Sequence, residues 1–317
     1  MSNLLPAAET IDEFRRARKM DVAAWTPGIH VLAARHGLEI ASITRFSAGE
    51  NPVFAVGEQI VLKLVPSLRS RVLQRELSFL RFLDQHADVP TARPIAHGQC
   101  ENWHYLFSSR LPGRQLDHVW PQLPADDQEG LAVAMGQLLR RLHDIPLAGL
   151  ELGDPAWTDW LPRSITTWTA RHDTVCVPPA LREDAPRFLA QQNLDQSLRA
   201  PLHDDLAPEN LLVQRGDSGW HISGMIDFGN GMAGDPLFDL VAPSVVLAPA
   251  QRTVAGWILE GYDGRPSRER GPMRDHLMAY MLIHPMGDFS TFFSLYPAAT
   301  ACRSWAQVAR LIWPELD

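Results

Sequence analysis

His203-Asp204-Asp205-Leu206-Ala207-Pro208-Glu209-Asn210 is followed, one hairpin later, by Ile226-Asp227-Phe228-Gly229. Between these stretches, residues 211–214 and 220–226 are short apolar runs on either side of Gly216-Asp217-Ser218-Gly219, which has the composition of a tight turn. Trp220, Ile222 and Ile226 fall on one face of the second run. The chain therefore leaves from Asn210 and returns at Asp227, so two polar clusters far apart in sequence meet at one end of a hairpin.

Upstream, residues 41–65 read as β structure: 42–46, 53–56, a Gly57-Glu58 turn, then 60–65. Val72, Leu73, Leu77, Leu80 and Leu83 recur at helical spacing across 69–83. A further strand is predicted at 105–111, ending in the turn signal Pro112-Gly113, where the lobe boundary is placed. Leu131, Met135, Leu138, Leu139 and Leu142 mark an amphipathic helix closed by Pro146. Residues 148–192 show no clean period and read as an insertion with helical pieces; the remainder, through Trp313, reads as mainly helical. At 317 residues the chain has the length of two domains, predicted as 1–110 and 111–317. The class is α+β, with a small antiparallel sheet first and a larger helical lobe after it.

The hairpin clusters suit phosphoryl transfer. Asp205 on a loop can orient and deprotonate an acceptor hydroxyl, while Asn210 and Asp227 supply hard oxygen ligands for Mg²⁺. Lys63 stands inside the apolar strand 60–65, where a lysine needs a reason. Pairing with nucleotide phosphates, steadied by a carboxylate from the following helix, supplies one, and Glu76 is the candidate. The loop 46–51, with Ser47 and Gly49, occupies the place of a phosphate-covering loop, although it lacks the G-x-G-x-x-G pattern. The stretch 108–111, with Ser108 and Arg110, is placed to offer backbone groups to an adenine edge. His203 reads as a brace of the catalytic loop, Asp235 and Asp239 as supporting residues, and Asp204 as a solvated loop acid.

Net charge of −8 disfavours nucleic acid as a partner, since backbone binding needs clustered Lys and Arg, and mildly favours a cationic ligand. Asp263, Asp275 and Asp288 are candidates to face such a ligand. No run approaches the length of a membrane span, and the first residues lack the basic and apolar pattern of a signal peptide, so a cytoplasmic location is expected. Cys100, Cys176 and Cys302 are odd in number and widely spaced, which argues against disulfides or zinc and predicts buried thiols.

On these motifs the chain resembles the aminoglycoside phosphotransferase and choline kinase family, whose fold is like that of the protein kinases. The resemblance runs from about Ile43 to the C-terminal helices. It implies ATP and Mg²⁺ as cofactors, with Asp205 as base, Asn210 and Asp227 as metal ligands, and Lys63 with Glu76 at the nucleotide. The segment Gly234-Asp235-Pro236 with Asp239 is also usual there. Gly49-Glu50-Asn51-Pro52-Val53, Leu111-Pro112-Gly113 and the residues 139–143 look most like hygromycin B 7''-O-phosphotransferases, implying an aminoglycoside acceptor. Asp204 departs from the family, where glycine is usual. A kinase for choline or hydroxylysine would keep every one of these motifs, and a non-catalytic nucleotide-binding regulator would suit the glycine-poor loop and Asp204. A protein kinase lacks support, because no Ala-Pro-Glu follows Asp227-Phe228-Gly229.

Overall fold

In the computed structural model, residues 4–47, 49–153, 155–171, 176–194, 199–247, 254–264, 273–285 and 287–316 are described. The chain divides into two units, Met1–Pro112 with Gly224–Asn230, and Gly113–Ser223 with Gly231–Asp317.

The first unit carries helices α1 (Ile11–Ala17) and α2 (Thr26–Arg35), strands β1 (Ile43–Arg45), β2 (Val53–Val56) and β3 (Ile60–Pro66), helix α3 (Ser70–Leu83), and strands β4 (Pro94–Cys100) and β5 (Trp103–Ser109). The strands form one antiparallel sheet in the order β1-β2-β3-β5-β4. Gly57, at φ +65, makes the turn from β2 to β3 in the left-handed region that glycine enters without strain. β3 is central, so Lys63 is flanked by Val53 on β2 and Leu106 on β5.

The two N-terminal helices lie outside the elements read from sequence. α1 starts on a capping box in which Thr10 and Glu13 satisfy each other's backbone N–H. Phe14, Trp25, Ile29 and Leu32 join Phe54, Leu62, Leu64 and Trp103 in one apolar cluster, with the Trp25 and Trp103 rings edge to face at 5.0 Å. This cluster anchors one face of the sheet.

β4 also differs from the sequence reading, which left 94–100 unassigned and began the next strand at 105. β4 is an edge strand with a single neighbour, so up to the buried Cys100 its residues alternate between half-buried and exposed and present no apolar stripe. Pro94 opens it, where a missing N–H costs least.

The second unit contains β6 (Arg114–Gln115), α4 (Leu116–Val119), α5 (Ala125–His143), α6 (Trp157–Arg171), α7 (Pro179–Gln191), β7 (Ala200–Leu202), β8 (Leu211–Gly216), β9 (Gly219–Met225), β10 (Met232–Gly234), α8 (Val241–Val246), α9 (Val254–Asp263), α10 (Met273–Ile283), α11 (Phe289–Leu295) and α12 (Trp305–Ile312). The hairpin predicted after Asn210 is β8–β9, and the stretch 148–192 holds α6 and α7, with 154 and 172–175 outside the described residues. The predicted apolar stripe of α5 is buried throughout. A Cβ at Gly136 of α5 would collide with the carbonyl of Ile258, and one at Gly261 of α9 with that of Val133. Glycines thus let these two helices touch backbone to backbone, which brings the end of α5 beside Tyr262. β7 and β10 pair through Leu202 and Met232, a short ribbon that delivers the chain into His203 on one side and Asp235 on the other.

Cys100 is buried, but Cys176 is exposed and Cys302 half-buried, correcting the expectation of three buried thiols. Both lie in connections, ahead of α7 and ahead of α12. No helix among the described residues is long and apolar enough to cross a membrane.

Candidate functional site

The first unit assembles the Lys63 cluster. Lys63 points from β3, and its Nζ lies 2.6 Å from Glu76 Oε2 on α3 and 2.8 Å from Asp227 Oδ1. The segment carrying Asp227 is tied to this unit by Met225 N–H donating to the Pro90 carbonyl at 2.8 Å. Phe228 stacks on Phe79 of α3 with ring centroids 5.3 Å apart. Gly229 approaches α3 so closely that a Cβ there would sit 2.6 Å from a methyl of Val72. Asp227 itself takes φ +66, a left-handed conformation that Asp tolerates better than most residues.

Lys63 and Glu76 are each nearly buried, whereas the Asp227 side chain is 47% exposed. Burial works against the Lys63 ammonium, but the charges of Glu76 and Asp227 and hydrogen bonds to both outweigh it and hold its pKa above the ordinary lysine value. For Glu76, burial pushes the pKa up, and the charge of Lys63 only partly opposes this. The lysine therefore remains a fixed positive charge with one exposed carboxylate beside it.

The other expected nucleotide contacts are more scattered. Ser47 and Gly49 of the loop expected to cover phosphate are exposed, Gly49 at φ +96, and Ala48 between them lies outside the described residues. Glu50 of this loop pairs with Arg69 at 2.6 Å. Ser108 is buried within β5, opposite Val61 and Pro94, and Arg110 is exposed with its guanidinium 5.8 Å from the Phe46 ring. The N–H groups of Ser109 and Arg110 donate to the carbonyls of Arg93 and Gln59 at 2.8 and 2.7 Å. Sheet pairing thus continues one residue beyond β5 and occupies these two amides of the stretch 108–111.

The second unit assembles the loop 203–210. Pro208–Asn210 forms a single 3-10 turn, and Asn210 Nδ2 donates to the Asp205 carbonyl at 2.8 Å. That bond settles the amide's orientation and turns Oδ1 away from the loop. Asp205 N–H donates to His203 Nδ1 at 3.3 Å, so the backbone on both sides of Asp205 is held while its side chain is left partly exposed. Asp239 grips the loop's first residues, its two oxygens accepting from the N–H groups of His203 and Asp204 at 2.7 Å each. Asp235 accepts from Leu237 N–H at 3.0 Å and from the Tyr280 hydroxyl at 2.6 Å.

Asp204 is only 5% exposed and adopts φ +67, which corrects its reading as a solvated acid. The loop turns inward at this residue, and a left-handed backbone directs the side chain toward the interior instead of outward.

Residues with no role assigned from sequence complete the support. His143 at the end of α5 meets Asp239 Oδ2 through Nε2 at 3.1 Å and the Tyr262 hydroxyl through Nδ1 at 2.9 Å. Burial would raise the Asp239 pKa, but the hydrogen bond and charge of His143 and the contribution of His203 outweigh it and hold the carboxyl below its ordinary value. A depressed pKa means that the unfolded chain binds this proton more readily. The stabilisation is therefore complete above the ordinary carboxylate pKa of about 4 and is lost as pH falls through the folded value. Urea unfolding at about pH 6 and about pH 3 is expected to show a larger acid loss in the parent than in Asp239→Asn, which has no carboxyl to protonate. Equal losses would remove Asp239 from this role.

Each unit carries an oxygen donor of the kind a small hard cation takes. The Oδ1 of Asn210 is freed by the commitment of Nδ2, and Asp227 keeps an exposed carboxylate despite its bond to Lys63.

Comparisons with known proteins bear on the family and the fold. The family model described as Phosphotransferase enzyme family matches residues 42–272. Among curated proteins, an Arabidopsis thaliana protein described as lysine-specific demethylase JMJ21 is 21% identical over 300 residues. The match takes in 74% of this chain, which spans only 31% of that protein's length. Among solved structures, the GDP and kanamycin complex of APH(2")-IIia superimposes with a TM-score of 0.66 at 18% identity, covering 90% of this chain and 97% of the other. Macrolide 2'-phosphotransferase MphH from Brachybacterium faecium superimposes at 0.57 with 21% identity, covering 86% and 96%. At these identities the structural likeness is one of fold, and it agrees with the α+β kinase-like class expected from sequence. With most of its length matched by the family model, the chain belongs to the phosphotransferase enzyme family.

Proposed function

We propose that the protein is an ATP- and Mg²⁺-dependent O-phosphotransferase acting on a hydroxyl of a small molecule, with an aminoglycoside as the favoured acceptor. The observation that carries this reading is the loop 203–210: the backbone around Asp205 is tied down on both sides while its carboxylate stays accessible. Such a group can accept a hydrogen bond from the acceptor hydroxyl, orient it for in-line attack, and take its proton as the new P–O bond forms. Lys63 offers a fixed ammonium to the nucleotide phosphates, held in place by Glu76. Asn210 and Asp227 would hold Mg²⁺, which supplies neutralisation of phosphate charge when bound. On this reading residues 1–110 form the nucleotide lobe and 111–317 the catalytic and acceptor lobe.

A cationic acceptor is supported by the net charge of −8 and by the fold shared with a kanamycin complex. The acidic residues considered for it are partly committed elsewhere. Asp288 caps α11 by accepting from Ser290 N–H at 2.9 Å and from the Thr291 hydroxyl at 2.6 Å, and Asp275 lies 3.7 Å from Arg274. The test is Mg·ATP consumption by purified protein with hygromycin B, kanamycin, choline and hydroxylysine as acceptors. Transfer to an aminoglycoside is expected; transfer to choline or hydroxylysine alone would keep the chemistry and discard the acceptor, and tight ATP binding without any transfer would discard the enzyme reading.

A further inference from the structure

Asp204 occupies a backbone conformation, φ +67, that glycine enters freely and an L side chain enters with strain. A carboxylate kept at such a position and buried to 5% exposure needs compensating polar contact. Its Oδ1 lies 3.9 Å from Nε2 of His284, a residue 6% exposed that follows α10. The His284 ring lies flat on Phe238, with centroids 4.8 Å apart and planes within 9°. Phe238 directly precedes Asp239, whose carboxylate holds the N–H groups of His203 and Asp204. The turn Pro236–Leu240 therefore reaches the catalytic loop twice, through the Asp239 carboxylate to the backbone and through Phe238 and His284 to the Asp204 side chain.

Both contacts converge on Asp204, the second being a 3.9 Å approach and not a hydrogen bond, and its carbonyl side is the peptide leading into Asp205. Rotation of that peptide swings the Asp205 carboxylate, and a misplacement of about 1 Å at a reacting group lowers rate by about a hundredfold. We propose that His284 is a positioning residue for phosphoryl transfer, acting through Asp204 to set the peptide that aims the Asp205 carboxylate. The inference rests on the reading of Asp205 as the base. His284 touches no reacting atom; it keeps a strained turn in the one orientation that serves the loop.

The test compares the parent with His284→Phe, Asp204→Gly and the double variant, using ATP with kanamycin or hygromycin B as acceptor. Phenylalanine keeps an aromatic ring against Phe238 and removes both ring nitrogens, the one that faces Asp204 among them. His284→Phe is expected to lower kcat about tenfold with the KM for ATP within about twofold, because positioning acts on the chemical step. In the Asp204→Gly background the same change is expected to cost less than about twofold, since the turn no longer carries a side chain to be held. Equal losses in both backgrounds, or a loss carried by KM, would overturn the inference and leave His284 as a packing residue. Absence of turnover in the parent would be a failure of the phosphotransfer reading itself. The pair is then judged by urea unfolding of the same four proteins, where coupled losses support it and additive losses overturn it.

Discussion

Asp205→Asn is expected to lower kcat by about a thousandfold while leaving the KM for ATP nearly unchanged, the range in which a positioned general base contributes. The reasoning is local. The hydrogen bonds that shape the loop use the backbone N–H and carbonyl of Asp205, donated to His203 Nδ1 and accepted from Asn210 Nδ2, so an amide side chain leaves them intact. Asparagine keeps the size of the group but lacks a site to take the acceptor's proton. Nucleotide contacts are assigned to Lys63 in the other unit and do not involve this side chain. Steady-state kinetics together with a thermal melt decide the matter: a folded variant retaining more than about a tenth of parental kcat would remove Asp205 from the role of base.

Lys63→Met is expected to destabilise the first unit by about 3–5 kcal/mol, the cost of removing one partner from a buried ion pair. The variant leaves the Glu76 carboxylate 7% exposed without its counter-charge, and burial already pushes that group's pKa up. Asp227, with a side chain 47% exposed, can be rescued by water and contributes less. Replacing both buried partners, as in Lys63→Met with Glu76→Leu, is expected to recover most of the stability, because an apolar pair of similar volume carries no desolvation penalty. Turnover should not return, since no ammonium is left for the phosphates. Urea unfolding separates the two effects; a single-variant loss below about 1 kcal/mol would show that Lys63 and Glu76 do not act as a buried pair.

The two clusters differ in how far they could be read before any fold was known. Lys63 announced itself because a charged residue inside the apolar run 60–65 breaks a pattern that hydrophobic burial enforces, and Glu76 follows at the position where a helix behind that strand presents a carboxylate. Asp205, Asn210 and Asp227 were legible because their spacing around a hairpin is a local property of chain direction. Asp204 was misread as solvated: its neighbours are acidic and polar, and nothing within a few residues tells that the backbone turns inward there. His284 and Tyr262 left no signal at all, since each meets the loop or its support only through contacts far away in sequence.

The same division holds for the scaffold. Strands β2 and β3, helices α3 and α5 and the β8–β9 hairpin were determined by the sequence alone, because alternation at period two and apolar recurrence at helical spacing are written into consecutive residues. The edge strand β4 and the pairing of β7 with β10 were decided by tertiary structure, as their residues gain a partner only when distant chain arrives beside them. Burial of a polar side chain is likewise a property of the assembled unit. Sequence could therefore name Lys63, Glu76, Asp205, Asn210 and Asp227 as candidates, whereas only packing shows that Lys63 holds the Glu76 and Asp227 carboxylates and that Asp204 is buried.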